Sequence, residues 1–230
     1  MRFGAGEVWS RPGLARRDRS LVVIALLTAL GRERELRAHV AGGLHHGLAR
    51  EEIDEILLQT AVYAGVPFAL GAVAVANEVF AARDGAPQRR DAPARLAPAD
   101  GATRRAAGAD VLRTLLAQRE RDMPAVLDAT LAALGEMGRC VVDTAFGEVW
   151  SRPGLSRRDR SLVVVAVLTA LSQPRELETH VRGALHHGVT QAELEELMLT
   201  AVVYAGFPRA IEGLHAARRA IGEASPAPPR

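Results

Sequence analysis

The chain has 230 residues, and its apolar fraction of 48% is enough to bury a globular core. Its formal net charge is only +2, and basic and acidic residues are interleaved along the chain, which argues against a nucleic-acid-binding surface. All 29 basic residues are Arg and Cys140 is the single cysteine, so the sequence excludes a Schiff-base lysine, an internal disulfide and a Cys-x-x-Cys redox pair.

The sequence contains a long internal repeat. The segment Trp9–Phe80 recurs without a gap as Trp150–Ile221, and roughly half of the paired positions are identical. Aromatic residues are scarce, and a composition rich in Ala, Leu, Val, Glu and Arg favours helices over strands. Two copies are too few for a solenoid. The sequence therefore predicts an all-α fold in which two tandem helical repeats form a pseudo-dimer.

The first copy is predicted to contain four helices. Ser20–Leu30 is apolar on nearly all sides, which is typical of a buried helix. A second helix is expected over Glu33–His46, ended by Gly47 in the C-cap position. A third runs from Glu51 to Tyr63, and a fourth begins near Pro67 and ends near Arg83.

The second copy repeats this pattern after two additional helices. The helices are predicted over residues 106–121, 124–142, 161–171, 174–187, 192–204 and 208–222. We expect a first repeat at 1–85 without the N-terminal helices, a linker at 86–103, a second repeat at 104–222 and a disordered tail at 223–230. The start of the sequence has no apolar signal segment, and no apolar run approaches the length of a membrane span. These features predict a cytoplasmic protein that does not bind a membrane.

The second helix of each copy carries a polar stripe suited to chemistry. The stripe consists of Glu35, His39, Gly42 and His46 in the first copy, and of Glu176, His180, Gly183 and His187 in the second. Spacings of three and four residues place each set on one helix face. A glycine leaves room for a ligand, and a Glu–His pair can donate or accept a proton. Structural histidines within the core or at the helix end are the alternative. The spacing does not match a His-Glu-x-x-His zinc motif, so no metal is predicted.

Arginine and aromatic side chains add candidate substrate-binding groups to these histidines. They are Trp9, Arg11, His46 and Tyr63 in the first copy, and Trp150, Arg152, His187 and Tyr204 in the second. An Arg in each Trp-Ser-Arg-Pro-Gly turn can bind a carboxylate bidentately, so a small anionic ligand is expected. A Trp that anchors the turn, a solvated Arg and a packing Tyr remain the alternatives.

The ordered motifs identify a family resemblance. GEVWSRPGLSRRDRSLVVVAVLTAL, followed by HVRGAL and VYAGFP, resembles the γ-carboxymuconolactone decarboxylase branch of the carboxymuconolactone decarboxylase family over nearly all of residues 104–222. Residues 6–85 match the same pattern without its N-terminal helices. The resemblance implies a helical fold in ring-like homo-oligomers, so we expect a homotrimer whose repeats are arranged like a hexamer. It also implies cofactor-free loss of carbon dioxide from a carboxylated lactone in aromatic catabolism, within the β-ketoadipate pathway.

The resemblance also suggests roles for the candidate residues. His39 and His180 would donate a proton or contact the enolate, while Glu35 and Glu176 would orient the imidazoles. Arg11 and Arg152 would bind a carboxylate of the substrate.

Two departures within the family bear on function. Its alkylhydroperoxidase D-like peroxidases carry a Cys pair where this chain has Arg32 and Glu35, so disulfide-based peroxide reduction is excluded. The decarboxylase branch usually has an Asn pair where both copies here have a His pair. A lyase, isomerase or hydrolase of secondary metabolism, or a non-catalytic ligand-binding protein, therefore remains an alternative.

Overall fold

The computed structural model describes residues 2–84, 100–116 and 123–222, and the predicted all-α fold is confirmed, since no strand occurs in these ranges. The first repeat comprises a π-helical segment, Arg2–Val8, followed by α1 (Arg16–Ala29), α2 (Glu33–His45), α3 (Arg50–Ala64) and α4 (Val66–Asp84). Next come α5 (Gly101–Leu115), α6 (Met123–Leu134), α7 (Glu136–Cys140) and a second π-helical segment, Val141–Trp150. The second repeat continues with α8 (Arg157–Ala170), α9 (Pro174–His186), α10 (Gln191–Ala205) and α11 (Phe207–Ile221).

The two repeats share one hydrophobic core. The central helices α1 and α8 pack against each other, α1 also contacts α10, and α8 contacts α3. From Leu21 to Leu27 no side chain of α1 is more than 2% exposed, as the uniformly apolar sequence predicts. Because each central helix packs on the central and third helices of the other repeat, the two copies form a single core.

A buried ion pair crosses between the repeats on each side of this core. Arg19 is fully buried, donates to Glu196 at 3.1 Å and to the Thr200 hydroxyl at 2.6 Å, and both acceptors belong to the other repeat. The symmetry-related set is Arg160 with Glu55 at 2.7 Å and Gln59 at 2.9 Å. Sequence reasoning missed these buried arginines, because each lies at the end of a charged run that resembles a solvated helix start.

The segment before the second repeat departs from its predicted boundaries. Helix α5 begins at Gly101, inside the predicted linker, because the Asp100 side chain accepts the Thr103 backbone N–H at 2.7 Å and caps the helix. The predicted helix over 124–142 is broken at Gly135, where φ is 56°, a conformation that favours glycine. The remainder of the predicted linker, the end of the helix predicted over 106–121 and the tail at 223–230 lie outside the described residues.

Helix α4 is more apolar than expected. Its 18-residue window Val66–Arg83 has a mean hydropathy of 1.3 and is 28% buried, so by length and composition it could cross a membrane. This corrects the expectation that no apolar run approaches that length. Its counterpart α11 contains Arg209 and Glu212 and packs on the equivalent helices of its own repeat. We therefore interpret α4 as a helix of the bundle that keeps an exposed apolar face.

The second and fourth helices of each repeat are joined by an ion pair of reversed polarity. In the first repeat Arg37 on α2 pairs with Glu78 on α4. At the same two positions of the second repeat, Glu178 on α9 accepts from Arg219 on α11 at 2.8 Å. Both partners have changed sign together, so the attraction between these helices is kept in both copies.

Candidate active sites

Aromatic rings surround the mid-helix histidine of the first repeat, and we call Trp9, His39, His46 and Tyr204 site one. The Trp9 ring lies nearly parallel to His39, with centroids 5.9 Å apart and an interplanar angle of 18°. Tyr204 meets His39 edge-on at 5.0 Å and accepts the Trp9 indole N–H at 2.8 Å. His46 lies beside Trp9 at 5.6 Å. The histidine is therefore held between two aromatic rings.

The second repeat builds the same arrangement, and we call Trp150, His180, His187 and Tyr63 site two. Trp150 stacks on His180 with centroids 6.0 Å apart and an angle of 19°. Tyr63 meets His180 edge-on at 5.2 Å and accepts the Trp150 indole N–H at 2.8 Å. The predicted aromatic residues and histidines are thus brought together in two pseudo-symmetric sites.

Each tyrosine belongs to the other repeat's site. Tyr204 lies on α10 of the second repeat and completes site one, whereas Tyr63 lies on α3 of the first repeat and completes site two. This exchange follows from the packing of α10 on α1 and of α3 on α8. Neither repeat forms its site alone.

A buried serine holds the second histidine of each site. Ser20 Oγ lies 2.7 Å from His46 Nδ1, and Ser161 Oγ lies 2.8 Å from His187 Nδ1. Sequence reasoning did not select these serines as site residues. The available signal was a hydroxyl kept in both copies at the start of an otherwise apolar helix. The contact fixes the orientation of the ring next to the stacked histidine.

Burial keeps the stacked histidines neutral. It lowers the pKa of His180 to about 3, with a smaller contribution from His187. The pKa of His39 is also lowered, by burial and then by His46. His180 is 7% exposed, and its Nδ1 has no hydrogen-bond partner in the described part of the chain. Burial likewise raises the pKa of Tyr63, so the two sites present neutral polar groups.

Among the described residues, none of the predicted glutamates and arginines forms a hydrogen bond or ion pair with a site histidine. Glu35 and Glu176 are exposed, and among the described residues neither carboxylate is hydrogen-bonded to a histidine. Arg11 and Arg152 each donate to a glutamate of the other repeat through Nε, at 2.7 and 2.6 Å. The Arg11 side chain is 50% exposed and the Arg152 side chain 23%, so the outer part of Arg11 is more open to solvent.

Helix α5 covers site two. The Thr114 hydroxyl lies 2.9 Å from His187 Nε2, and the Leu115 side chain fills the space in front of Gly183. In site one, nothing in the described ranges lies within 4 Å of a Cβ placed on Gly42, the counterpart of Gly183. Among the described residues, no three His, Cys, Asp or Glu side chains are grouped so as to hold a metal ion.

Fold and sites together define an all-α protein of two pseudo-symmetric repeats with an aromatic-enclosed histidine in each. The family model of the carboxymuconolactone decarboxylase family matches residues 1–78 and 135–219, which is more than half of the chain. The chain belongs to this family, as its motifs suggest.

Two curated relatives are similar to part of this chain. The 4-carboxymuconolactone decarboxylase of Acinetobacter baylyi is 52% identical over 79 residues, covering 34% of this chain and 59% of that protein. The nitrosuccinic acid decarboxylase npaB of Metarhizium robertsii is 39% identical over 83 residues, covering 36% of this chain and 58% of that protein. The chain thus spans about three fifths of the length of the curated relatives it matches.

Proposed function

We propose that this protein is a decarboxylase of a small carboxylated anion, with a carboxylated lactone of aromatic catabolism as the expected substrate. The observation that carries the proposal is the neutral imidazole of His39, enclosed by Trp9 and Tyr204. In a chain of this family, such an imidazole can exchange a proton with a bound substrate and needs no neighbouring carboxylate to assist it. The similarity to 4-carboxymuconolactone decarboxylase supports the substrate class.

The proposed reaction replaces a carboxylate by a proton. The bond between the carboxylate and its carbon breaks, carbon dioxide leaves, and the electron pair passes into the conjugated lactone to form an enolate. The carbon then takes up one proton. Because the lactone itself accepts the electron pair, the proposal needs no cofactor. A poorly solvated carboxylate loses its charge more easily than a hydrated one, which suits a site lined by aromatic rings.

His39 is the proposed proton donor in site one. Burial keeps its imidazole neutral, and a bound dianion would raise its pKa because a nearby negative charge favours the protonated form. The imidazolium would then deliver its proton to the substrate carbon. His46, oriented by Ser20, would bind one carboxylate of the substrate, and Arg11 would bind a second. His180, His187 and Arg152 are the corresponding groups of site two.

The experiment is incubation of the purified protein with 4-carboxymuconolactone and measurement of carbon dioxide release. We expect turnover by the wild type and its loss in the double variant His39→Gln, His180→Gln. The double variant Arg37→Gln, Arg219→Gln is the control, since it removes two surface arginines of ion pairs away from the sites. Absence of turnover by the wild type at high enzyme concentration would refute this substrate.

The orienting role of Glu35 and Glu176 remains a prediction with its own test. The double variant Glu35→Gln, Glu176→Gln should lower kcat and shift the pH–rate profile if the carboxylates act on the imidazoles. Unchanged kcat and an unchanged profile would contradict the role and would agree with the exposed position of both side chains.

A second candidate is decarboxylation of an acid that is activated by a different electron acceptor. Two observations favour it: the similarity to a nitrosuccinic acid decarboxylase, and the His pair where the decarboxylase branch usually has Asn. A nitro group can accept the electron pair in place of a lactone. Nitrosuccinate and 4-carboxymuconolactone should be compared as substrates of the wild type and of His46→Asn, His187→Asn. A gain of lactone turnover in the variant would support this candidate.

Self-association as a homotrimer is also proposed. Both repeats expose apolar side chains at equivalent positions of their third and fourth helices. The pairs are Leu58 and Leu199, both 36% exposed, Val66 and Phe207, both 59%, and Leu70 and Ile211, at 63% and 47%. Repetition of the same apolar face is what a ring of equivalent contacts requires. The mass in solution, measured by light scattering, tests this: a monomer would contradict it.

A further inference from the structure

In site two, side chains of α5 form the hydrogen bonds and the ion pair of the neighbouring polar groups. Arg157, at the start of α8, pairs with the Asp110 carboxylate and donates to the Thr114 hydroxyl at 3.1 Å. The same hydroxyl contacts His187 Nε2, and Leu115 occupies the space in front of Gly183. A carboxylate, a hydroxyl and an apolar side chain of α5 therefore lie against Arg157, His187 and Gly183 in this site.

In site one, the equivalent groups have no such partners among the residues that the structure describes. Arg16 is the counterpart of Arg157; it is exposed and forms no hydrogen bond or ion pair with another described residue. His46 bonds to Ser20 through Nδ1, and its Nε2 has no partner in the described part of the chain. The space in front of Gly42 is open among these residues.

Arg16 is close enough to His46 to act on the same ligand. Arg16 and Ser20 are one helical turn apart on the same face of α1, and Ser20 contacts His46. The Arg16 charge also contributes to lowering the pKa of His46, after burial and His45. A cation, an imidazole nitrogen and an open space thus adjoin one another.

We propose that site one is the ligand-accessible site, in which Arg16 and His46 bind a carboxylate of the substrate, and that α5 closes site two by occupying the equivalent space. The inference rests on the proposed function for the nature of the substrate. Asp110 marks the place of the ligand carboxylate, because it is the anion that Arg157 holds in the closed site. Arg16 is thereby a determinant of specificity for an anionic substrate, and Leu115 limits access to site two.

The two tryptophans of the chain allow each site to be observed separately, since Trp9 lies in site one and Trp150 in site two. Trp150→Phe leaves Trp9 as the only indole, and Trp9→Phe leaves Trp150. Fluorescence quenching by acrylamide, a neutral probe, and by iodide, an anionic probe, then measures access and anion attraction at each site. Neither measurement needs substrate or turnover.

We expect both probes to quench Trp9 and neither to quench Trp150 efficiently. Arg16→Gln should reduce iodide quenching of Trp9 and leave acrylamide quenching unchanged, whereas Arg37→Gln, the matched control, should change neither. Leu115→Ala should increase acrylamide quenching of Trp150 several-fold. If that variant does not fold, Thr114→Val keeps the side-chain size and removes the hydroxyl contact. Equal quenching of both tryptophans in the parent proteins, or equal iodide quenching with and without Arg16, would overturn the inference.

Measurements of turnover distinguish a failure of this inference from a failure of the proposed function. With 4-carboxymuconolactone, Arg16→Gln should raise KM about tenfold or more and change kcat less, as expected for the loss of a charged hydrogen bond to a carboxylate. Unchanged KM beside normal wild-type turnover would refute the role of Arg16 alone. No turnover by the wild type would refute the proposed substrate, and the quenching results would still decide which site is open.

Discussion

Trp150 donates its indole N–H to the hydroxyl of Tyr63 across 2.8 Å, and the two residues belong to different repeats. The bond joins the parts of site two that come from different repeats, and its counterpart between Trp9 and Tyr204 does the same in site one. Each site is therefore also a contact that joins the repeats. A change in one of these tyrosines should affect both the stability of the pseudo-dimer and the chemistry of a site.

Replacement of the tyrosines should have unequal effects on stability. Trp150 is 1% exposed, so Tyr63→Phe leaves its N–H unpaired in the core, at a cost of about 1–3 kcal/mol. Tyr204→Phe should cost less, because Trp9 is only half-buried and its N–H has better access to water. Guanidinium unfolding of both variants measures the difference. An equal loss in the two variants would contradict the described difference in burial.

The buried carboxylates that cross between repeats should be among the most sensitive positions of the fold. Glu55→Gln removes the charge that faces Arg160, which is 0% exposed, and leaves a buried cation without its ion-pair partner. Such losses cost about 3–5 kcal/mol. The surface variant Glu78→Gln is the control, and its expected cost is at most about 1 kcal/mol. Urea unfolding compares them, and similar values would show that the buried pair contributes no more than the exposed one.

The reversed ion pair predicts a compensating double change. Arg37→Glu alone places two carboxylates together and should destabilise the first repeat, whereas Arg37→Glu with Glu78→Arg recreates the arrangement of Glu178 and Arg219. The double variant should recover most of the loss, with a coupling free energy of about 0.2–1 kcal/mol for such an exposed pair. A double-mutant cycle measures this coupling. Additive losses in the double variant would mean that the pair does not interact.

Acid should destabilise the protein through His180. Burial lowers the pKa of His180 from 6.5 to about 3, so between these values the unfolded chain binds a proton at this side chain that the folded chain does not. The stability gained from neutral His180 is complete above the unfolded pKa and is lost as the pH falls from about 6.5 to about 3, by up to about 1.4 kcal/mol per pH unit.

His180→Gln should flatten this dependence, because it removes the group whose proton binding differs between the two states. The free energy of unfolding in urea, measured from about pH 7 to about pH 4, gives the slope. His186→Gln changes an exposed histidine of the same helix and should leave the wild-type slope in place. Equal slopes for the wild type and His180→Gln would show that His180 takes up its proton equally in both states.

Particular residues show how far the sequence predicts the sites. The repeat and helical spacing placed His39 and His180 on corresponding faces of the second helix of each copy, because local periodicity is enough for that, whereas the stacking of Trp9 and Trp150 on them is a tertiary contact. The same spacing included Glu35 and Glu176, yet both carboxylates point to solvent in the structure. Exposed and buried positions within one helical stripe depend on which neighbours cover it. Those neighbours come from other parts of the chain.

The sequence by itself determined the class of fold, the duplication, the helices of each repeat and the set of chemical groups, since hydrophobic periodicity and capping residues are local properties. The tertiary structure alone decided that Tyr204 completes the site of the first repeat and Tyr63 that of the second, that Arg19 is buried against Glu196, and that α5 covers one site. These contacts join residues far apart in the chain, and they form only when α1 and α8 pack together and bring the third helix of each repeat against the other.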